Sequence, residues 1–496
     1  MAILEEPIKE VLELKNYVNG EWVKSKSEEV RDVINPATQK TLAKVRMSTK
    51  EEVSEAIKAA QEAFPEWRRT PPLARVRCLF RLKELMEKNF EELSRVQTIE
   101  HGKNIDESRG ETRRGIEMVE VGTGIPSLMM GHNLEDIATG IDEYLIYQPL
   151  GVFTHIAPFN FPFMVPLWYT PFALATGNTF VVKPSPRVPI SQTKLAELIE
   201  EADFPPGVYN IVHGDADAAQ VLIEHPDVKG VTFVGSTTVG KEIYRKAGAN
   251  FKRSIVQGSA KNFMLVMPDA DIGTTIAACM TSFFGNTGQR CLSGANLVIV
   301  GEDAGFYRTF LDAFVEATSK IRIGYGLDES IQMGPMQSTD GVERVKRYIE
   351  IGIKEGAKLI VDGRKPSFIG DYPSTCFINP SVFEDVTPDM TIAKEEIFGP
   401  VANVIRCKNI GEAIKMINDS NYGNAASIFT SNGKMAREFQ YNVECGNIGI
   451  NIGIVAPMAF FPFSGMKDSF YGVLHGQGRD AVRFFTESKV VVQRWF

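Results

Sequence analysis

No two cysteines of this chain stand at C-x-x-C spacing, and no two histidines stand at the spacing of a metal-binding pair. The six cysteines, at 78, 279, 291, 376, 407 and 445, are scattered, which excludes a zinc knuckle and argues against a disulfide framework. No metal site is expected. Apolar runs long enough to cross a membrane are missing too: "NFPFMVPLWYTPFALATG" is broken by prolines and stops at Gly177. The net charge is −8 and no basic face emerges, which argues against a nucleic-acid partner. The opening "MAILEEPIKEVLELK" lacks the basic flank of a signal peptide, so a cytoplasmic protein is expected. There is no internal repeat and no low-complexity tract.

What is present is the composition of a soluble globular protein, 44% hydrophobic and 23% charged, in 496 residues. That length exceeds one hydrophobic core and predicts two large lobes. "NYVNGEWV" predicts a hairpin turning at Asn19-Gly20. Apolar residues at helical spacing, such as Val53, Ile57, Ala60 and Phe64, predict helix through 50 to 110. From 150 the rhythm changes. "GVFTHIAP", "NTFVVKPS", "GVYNIVHG" and "GVTFVGS" are short β-rich runs, each followed by a turn and a helix-like segment, and the pattern continues with "FMLVMPDAD" and "ANLVIVG". This is βαβ alternation, and it predicts an α/β protein with parallel sheets covered by helices. The lobes should join near 250 to 258. Residues 131 to 149 and the tail "ESKVVVQRWF" look like strands projecting from the body, either as oligomerisation arms or as ordinary edge strands.

Three stretches carry chemistry. "GVTFVGSTTVGKEIYRKAG" reads as strand, glycine turn and helix, with Gly235, Ser236 and Gly240 placed so that backbone N–H groups can hold a pyrophosphate. It is not the G-x-G-x-x-G fingerprint, and a purely structural turn is the alternative. Lys183 ends the strand of "TFVVKPSPRVP" at the edge where open α/β sheets bind cofactors, unless it is merely a solvated lysine. In "GNTGQRCLSG" Cys291 sits among small residues beside Arg290, which should favour the thiolate, whereas Cys279 in "TIAACMTSFF" reads as packing. Asn160, between aromatics in "IAPFNFP", suits either an oxyanion donor or a turn.

"PFNFP", "VVKPS", "FVGSTTVG", "GNTGQRC" and "EEIFGP", in this order along the chain and over nearly its whole length, resemble the aldehyde dehydrogenase superfamily. The resemblance implies a Rossmann-like cofactor domain over 1–130 and 150–255 and an α/β catalytic domain over 256–455. It also implies an oligomerisation arm and C-terminal segment over 131–149 and 456–496, building a homotetramer from dimers. It makes Cys291 the nucleophile and Asn160, with the Cys291 backbone N–H, the oxyanion donor. Lys183 and Ser236 would hold the adenosine ribose and phosphate of NAD or NADP, and Glu396 the nicotinamide ribose with Phe398 beside it. Ala157, Phe159, Gly235, Gly240 and Gly258 would complete the cofactor site.

One departure is informative. Most members of the superfamily carry a glutamate that activates water where this chain has Gln257, in "VQGSAKNF", and an amide cannot accept that proton. The acyl group should then leave on coenzyme A, unless another base serves. Together with "NPAT", "RRGIEMVE", "SLMMG" and "APMAFFPFSGMKDSFYG", this looks like the branch of CoA-acylating methylmalonate-semialdehyde dehydrogenases. In that branch two arginines bind the substrate carboxylate, matching Arg114 and Arg290, although an arginine at either place also has a plainer reading. The resemblance implies oxidation of methylmalonate or malonate semialdehyde, with loss of carbon dioxide, to propionyl-CoA or acetyl-CoA. A hydrolytic NAD(P)-dependent enzyme releasing free acid is the alternative, and a non-enzymatic relative a more distant one. Pro186 stands where the branch usually has an acid, and Arg187 follows, so a 2′-phosphate meets less repulsion and NADP becomes acceptable.

Overall fold

A computed structural model describes residues 3–496. Its first lobe is built on an eight-stranded sheet whose centre is five parallel strands: Arg253–Gln257, Val228–Val234, Val152–Ile156, Thr179–Lys183 and Tyr209–Ile211, side by side in that order. In chain order the strand from 152 comes first, so the winding reverses between it and the strand from 228. That reversal opens a crevice at the carboxyl ends of the strands, where open α/β sheets hold ligands. The Asn19-Gly20 hairpin extends one edge of this sheet, with both turn residues at positive φ (54° and 78°) as a two-residue turn requires.

The second lobe carries a seven-stranded sheet between Asn262 and Ile450, parallel except for its edge strand Lys358–Val361. Its two faces are covered by separate apolar clusters, one around Phe283, Phe310 and Phe314 and the other around Phe383, Ile349 and Phe439. Helices Lys50–Trp67, Pro72–Lys88, Phe90–His101 and Ile105–Thr123 occupy the predicted helical stretch. The breaks fall at residues that stop a helix: Pro71, Asn89 and the left-handed Gly102. Among the described residues no helix is long and apolar enough to cross a membrane.

Segments 133–138, 141–149 and 486–493 form a separate antiparallel sheet of three strands. Leu134, Val490 and Val492 are exposed on it.

Two segments sit differently from the expected division. Strands Leu12–Leu14, Val30–Ile34 and Thr41–Arg46 form a small sheet of their own whose Val33, Ala43 and Val45 share a core with Phe283 and Leu297 of the second lobe. The stretch from 456 is also more than an arm. Strand Phe470–Tyr471 pairs with Arg253–Gln257, and Phe484 and Phe485 pack on Phe153 at ring separations of 5.4 and 4.8 Å. Large aromatic side chains find their burial in the first lobe, and the backbone follows them there. Phe485 is fully buried, so Phe485→Ala should cost about 3–5 kcal/mol in chemical denaturation. An unchanged midpoint would place that segment outside the core.

Candidate active site

Cys291 follows a tight turn that ends helix Ile272–Phe284. Asn286 and Thr287 both adopt φ of 54°, a left-handed conformation that is costly for a β-branched residue and needs restraint. The restraints are visible. Glu107 accepts the Asn286 N–H, Thr287 Oγ1 donates to Gly334 O at 3.0 Å, and Asn286 Nδ2 donates to Gln289 O at 2.8 Å. Gly288 has no alternative, since a Cβ there would lie 2.2 Å from Gly399 O. Beyond the turn, the Cys291 carbonyl accepts from Asn262 Nδ2 at 2.8 Å and Asn424 Nδ2 at 2.7 Å. The Cys291 backbone is therefore gripped on both sides, an arrangement that suits a group meeting a carbonyl at one angle.

The thiol itself differs from the sequence-based expectation. Burial pushes it up to about 12 and the Glu396 carboxylate pushes the same way, while Arg290 pulls it down by less. Arg290 therefore does not make a resting thiolate, because desolvation of a small anion outweighs one neighbouring guanidinium. Cys279 is the packed cysteine that its apolar neighbours predict.

Asn160 lies just beyond strand Val152–Ile156, buried, with Nδ2 donating to Gln289 O at 3.2 Å. It thus faces the nucleophile's own loop. Two hollows meet at Cys291. One, of about 340 Å³, is lined by Cys291, Arg290, Arg114, Phe161, Trp168 and Phe463. The other is a narrow cleft reaching Glu396 and Phe398. Arg114 and Arg290, far apart in sequence, are brought to one cavity with the thiol. Arg114 is tied to Glu117 at 3.0 Å. The Arg290 guanidinium lies 3.8 Å from Glu107 and over the Phe161 ring. The cavity also holds Glu107 and Glu111, so its charge is mixed rather than purely cationic.

Gln257 ends its strand buried, and its amide Nε2 donates to Phe463 O at 2.9 Å. Among the residues lining the two hollows, the carboxylates are Glu107, Glu111 and Glu396, and Glu107 alone keeps an oxygen, Oε2, buried without a partner. Glu107 takes the Asn286 N–H, Glu111 takes Lys103, and Glu396 takes the Ala260 N–H at 2.8 Å.

The expected dinucleotide residues gather at the carboxyl edge of the first sheet. Lys183 is buried with its ammonium satisfied only by the carbonyls of Pro184 and Gly214, at 3.2 and 3.0 Å, and burial lowers it to about 8. A buried cation without a hydrogen-bonded carboxylate suits a polar ligand. Ser236 caps helix Thr237–Ala249 by accepting the Val239 N–H, and Ser259 Oγ accepts the Thr237 N–H, at the end of the first sheet where an anion would meet the helix N-terminus. Close packing explains Gly240, whose Cβ would meet Val256 at 2.9 Å, and Gly235, whose Cβ would meet the Phe233 ring. Gly258 is likewise a packing position, closed by Thr237 and Asp468. Ala157 N donates to Lys183 O at 3.0 Å, joining two of the strand ends that form the crevice. Phe159 and Phe398 meet edge to face at 5.8 Å, and Arg187 lies over Phe159 while reaching Ser338 at 3.4 Å. Buried Lys183, the helix end at Ser236 and a buried Glu396 beside the thiol form a set of residues that fits a dinucleotide. The sequence reading passed over Lys103, Glu107, Glu111 and the carbonyl-holding amides Asn262 and Asn424. The spacing 107, 111, 114, 118 on one helix face was the available signal.

Residues 22–491 match the family model described as Aldehyde dehydrogenase family. The chain belongs to the aldehyde dehydrogenase family. This aldehyde dehydrogenase is 47% identical over 482 residues to malonate-semialdehyde dehydrogenase 2 of Geobacillus kaustophilus (strain HTA426), covering 97% of this chain and 99% of that one. Its fold matches the crystal structure of methylmalonate-semialdehyde dehydrogenase from Oceanimonas doudoroffii with a TM-score of 0.95 at 41% identity, over 98% of this chain and 99% of the other. A Sinorhizobium meliloti 1021 protein crystallised with NAD matches equally well, with a TM-score of 0.95, 38% identity and coverage of 98% and 99%.

The opposing charges around the thiol predict a reactivity pattern. At pH 8, below the thiol's value, removing the Glu396 charge lowers that value and raises the thiolate fraction. Glu396→Gln should therefore speed alkylation of Cys291 by iodoacetamide, and Arg290→Ala should slow it. Equal rates in all three proteins would mean that neither charge reaches the sulfur.

Proposed function

We propose that this aldehyde dehydrogenase oxidises methylmalonate or malonate semialdehyde, with loss of carbon dioxide, to propionyl-CoA or acetyl-CoA. The observation that carries this reading is Gln257, an amide tied to Phe463 O, where hydrolytic members of the family carry their water-activating glutamate. The full-length similarity to malonate- and methylmalonate-semialdehyde dehydrogenases supports it.

In this reading Cys291 loses its proton and its sulfur bonds to the aldehyde carbon, and the oxyanion that forms is met by Asn160 Nδ2 and the Cys291 backbone N–H. A bound nicotinamide dinucleotide supplies the hydride acceptor, with Lys183, Ser236, Glu396 and Phe398 as the residues that would hold it. The product at this stage is an acyl group on Cys291. Arg114 and Arg290 hold the substrate carboxylate, for which guanidinium forks are suited, and so orient the carbon–carbon bond that breaks. As carbon dioxide leaves, the bonding pair passes toward the thioester carbonyl, and the carbon then takes a proton. The thiol of coenzyme A forms the new thioester bond and the Cys291 sulfur departs. With the amide of Gln257 where hydrolytic members carry their acid, water is a poor competitor.

Either dinucleotide is accepted in this proposal, because Pro186 presents no charge to repel a 2′-phosphate and Arg187 lies near. The chain acts in the cytoplasm as a homotetramer, with the exposed apolar residues of the three-stranded arm supporting self-association.

Product analysis with each semialdehyde tests the reading. Acyl-CoA with CoA present and little turnover without it is the expected result, and free acid formed at full rate without CoA would overturn it. Arg114→Ala or Arg290→Ala should lower kcat/KM by about 1.5–3 kcal/mol for a carboxylate-bearing substrate. A neutral aldehyde of similar size should be affected far less, and equal losses for both would remove the arginines from carboxylate binding. Gln257→Glu should open a CoA-independent route to free acid.

A further inference from the structure

Lys103 and Glu111 are both completely inaccessible to solvent and joined at 2.5 Å, at the edge of the cavity that holds Cys291. A fully buried ion pair gives little net stability, since both ions lose their hydration, so its geometry has to be read for what else it does. Every contact points to one peptide segment. The Lys103 ammonium donates to the Asn160 backbone carbonyl at 2.8 Å and sits 4.1 Å above the Phe161 ring. The Glu111 carboxylate accepts from the backbone N–H groups of Phe163 and Met164, at 2.9 and 3.1 Å. The pair thus holds residues 160 to 164 from both ends, beginning at the residue whose side chain faces the nucleophile's loop.

The same helix face reaches the other half of the site. Glu107, one turn before Glu111, accepts the Asn286 N–H and stands 3.8 Å from Arg290. Asn286 Nδ2 in turn reaches the Asn160 carbonyl at 3.3 Å. One rigid helix therefore spaces the segment carrying Asn160 from the loop carrying Cys291. Without Lys103 the Asn160 carbonyl would keep only the longer bond from Asn286.

We propose that the Lys103–Glu111 pair is a positioning device for the oxyanion donor, setting the Asn160 amide against the carbonyl bonded to Cys291. Lys103 touches neither substrate nor cofactor in this role and acts through Asn160. The inference rests on the reading of Asn160 given above, and the test separates the two. Misplacement of a catalytic group by about 1 Å is enough for a loss on the order of 100-fold, comparable with removing an oxyanion donor.

The test uses the full-length protein and p-nitrophenyl acetate, whose attack by Cys291 builds an oxyanion in the same place without a dinucleotide. The rate of the p-nitrophenolate burst is measured for Lys103→Met, Asn160→Ala and the double variant, with Cys291 alkylation by iodoacetamide as the control that needs no oxyanion. Lys103→Met should slow the burst about 10- to 100-fold while leaving alkylation within about twofold, since alkylation forms no such charge. In the Asn160→Ala background it should cost almost nothing further. Glu111→Gln, which keeps an acceptor for the two N–H groups but removes the charge, gives the same pattern if Lys103→Met fails to fold, and Lys103→Arg should recover part of the rate. A full additional loss in the Asn160→Ala background would overturn the proposal, as would equal slowing of burst and alkylation. A normal burst in Asn160→Ala alone would instead sink the reading of Asn160.

Discussion

The constraint on which the site depends is a half-buried thiol held beside a carboxylate and a guanidinium, with an amide, Gln257, in place of an acid that could ionise water. Burial raises the Cys291 thiol to about 12, and Glu396 adds to the rise. In the proposed reaction a nucleophile held neutral until substrate arrives resists stray oxidation and alkylation, and the protein then has to stabilise negative charge only when a carbonyl is in place. Asn160, the Cys291 backbone N–H and the grip of Asn262 and Asn424 on the Cys291 carbonyl answer that task. The same dry surroundings make the acyl group on sulfur long-lived unless something enters that needs no activation by a base.

The two lobes divide this work. The first presents strand ends at a winding reversal, where Lys183 and the Ser236 helix end await a polyanion. The second presents the turn that carries Cys291, strained at Asn286 and Thr287 and therefore dependent on outside contacts. Thr287 is held by the Gly334 carbonyl, and Asn286 by Glu107 of the helix Ile105–Thr123, which belongs to neither sheet. Its one face delivers Glu107, Glu111 and Arg114 at successive turns, so a single element spaces the nucleophile, the oxyanion segment and the carboxylate-binding cavity.

Much of this was legible in the residues, and the exceptions share a cause. Alternation of short apolar runs with helical stretches gave the parallel sheets from local pattern alone, and Asn19-Gly20 gave its hairpin from turn chemistry. Cys291 stood out because small residues surround it, and Gln257 because an amide replaces an acid. The placement of the small sheet of strands 12–14, 30–34 and 41–46 and of Phe484 and Phe485 was hidden, since it is decided by which distant surface offers burial. The thiol's ionisation was misjudged for a similar reason: Arg290 is adjacent in sequence, whereas the desolvation and the Glu396 charge that oppose it come from the folded surroundings. Lys103 and Glu111 look like ordinary helix charges until the fold seals them from water.

The most direct test of the central claim is the lifetime of the acyl group on Cys291. Intact-protein mass spectrometry after a single turnover with malonate semialdehyde and dinucleotide, without CoA, should show the acylated chain persisting well beyond the turnover time and vanishing on addition of CoA. Loss of the acyl group to water as fast as turnover itself would contradict the account.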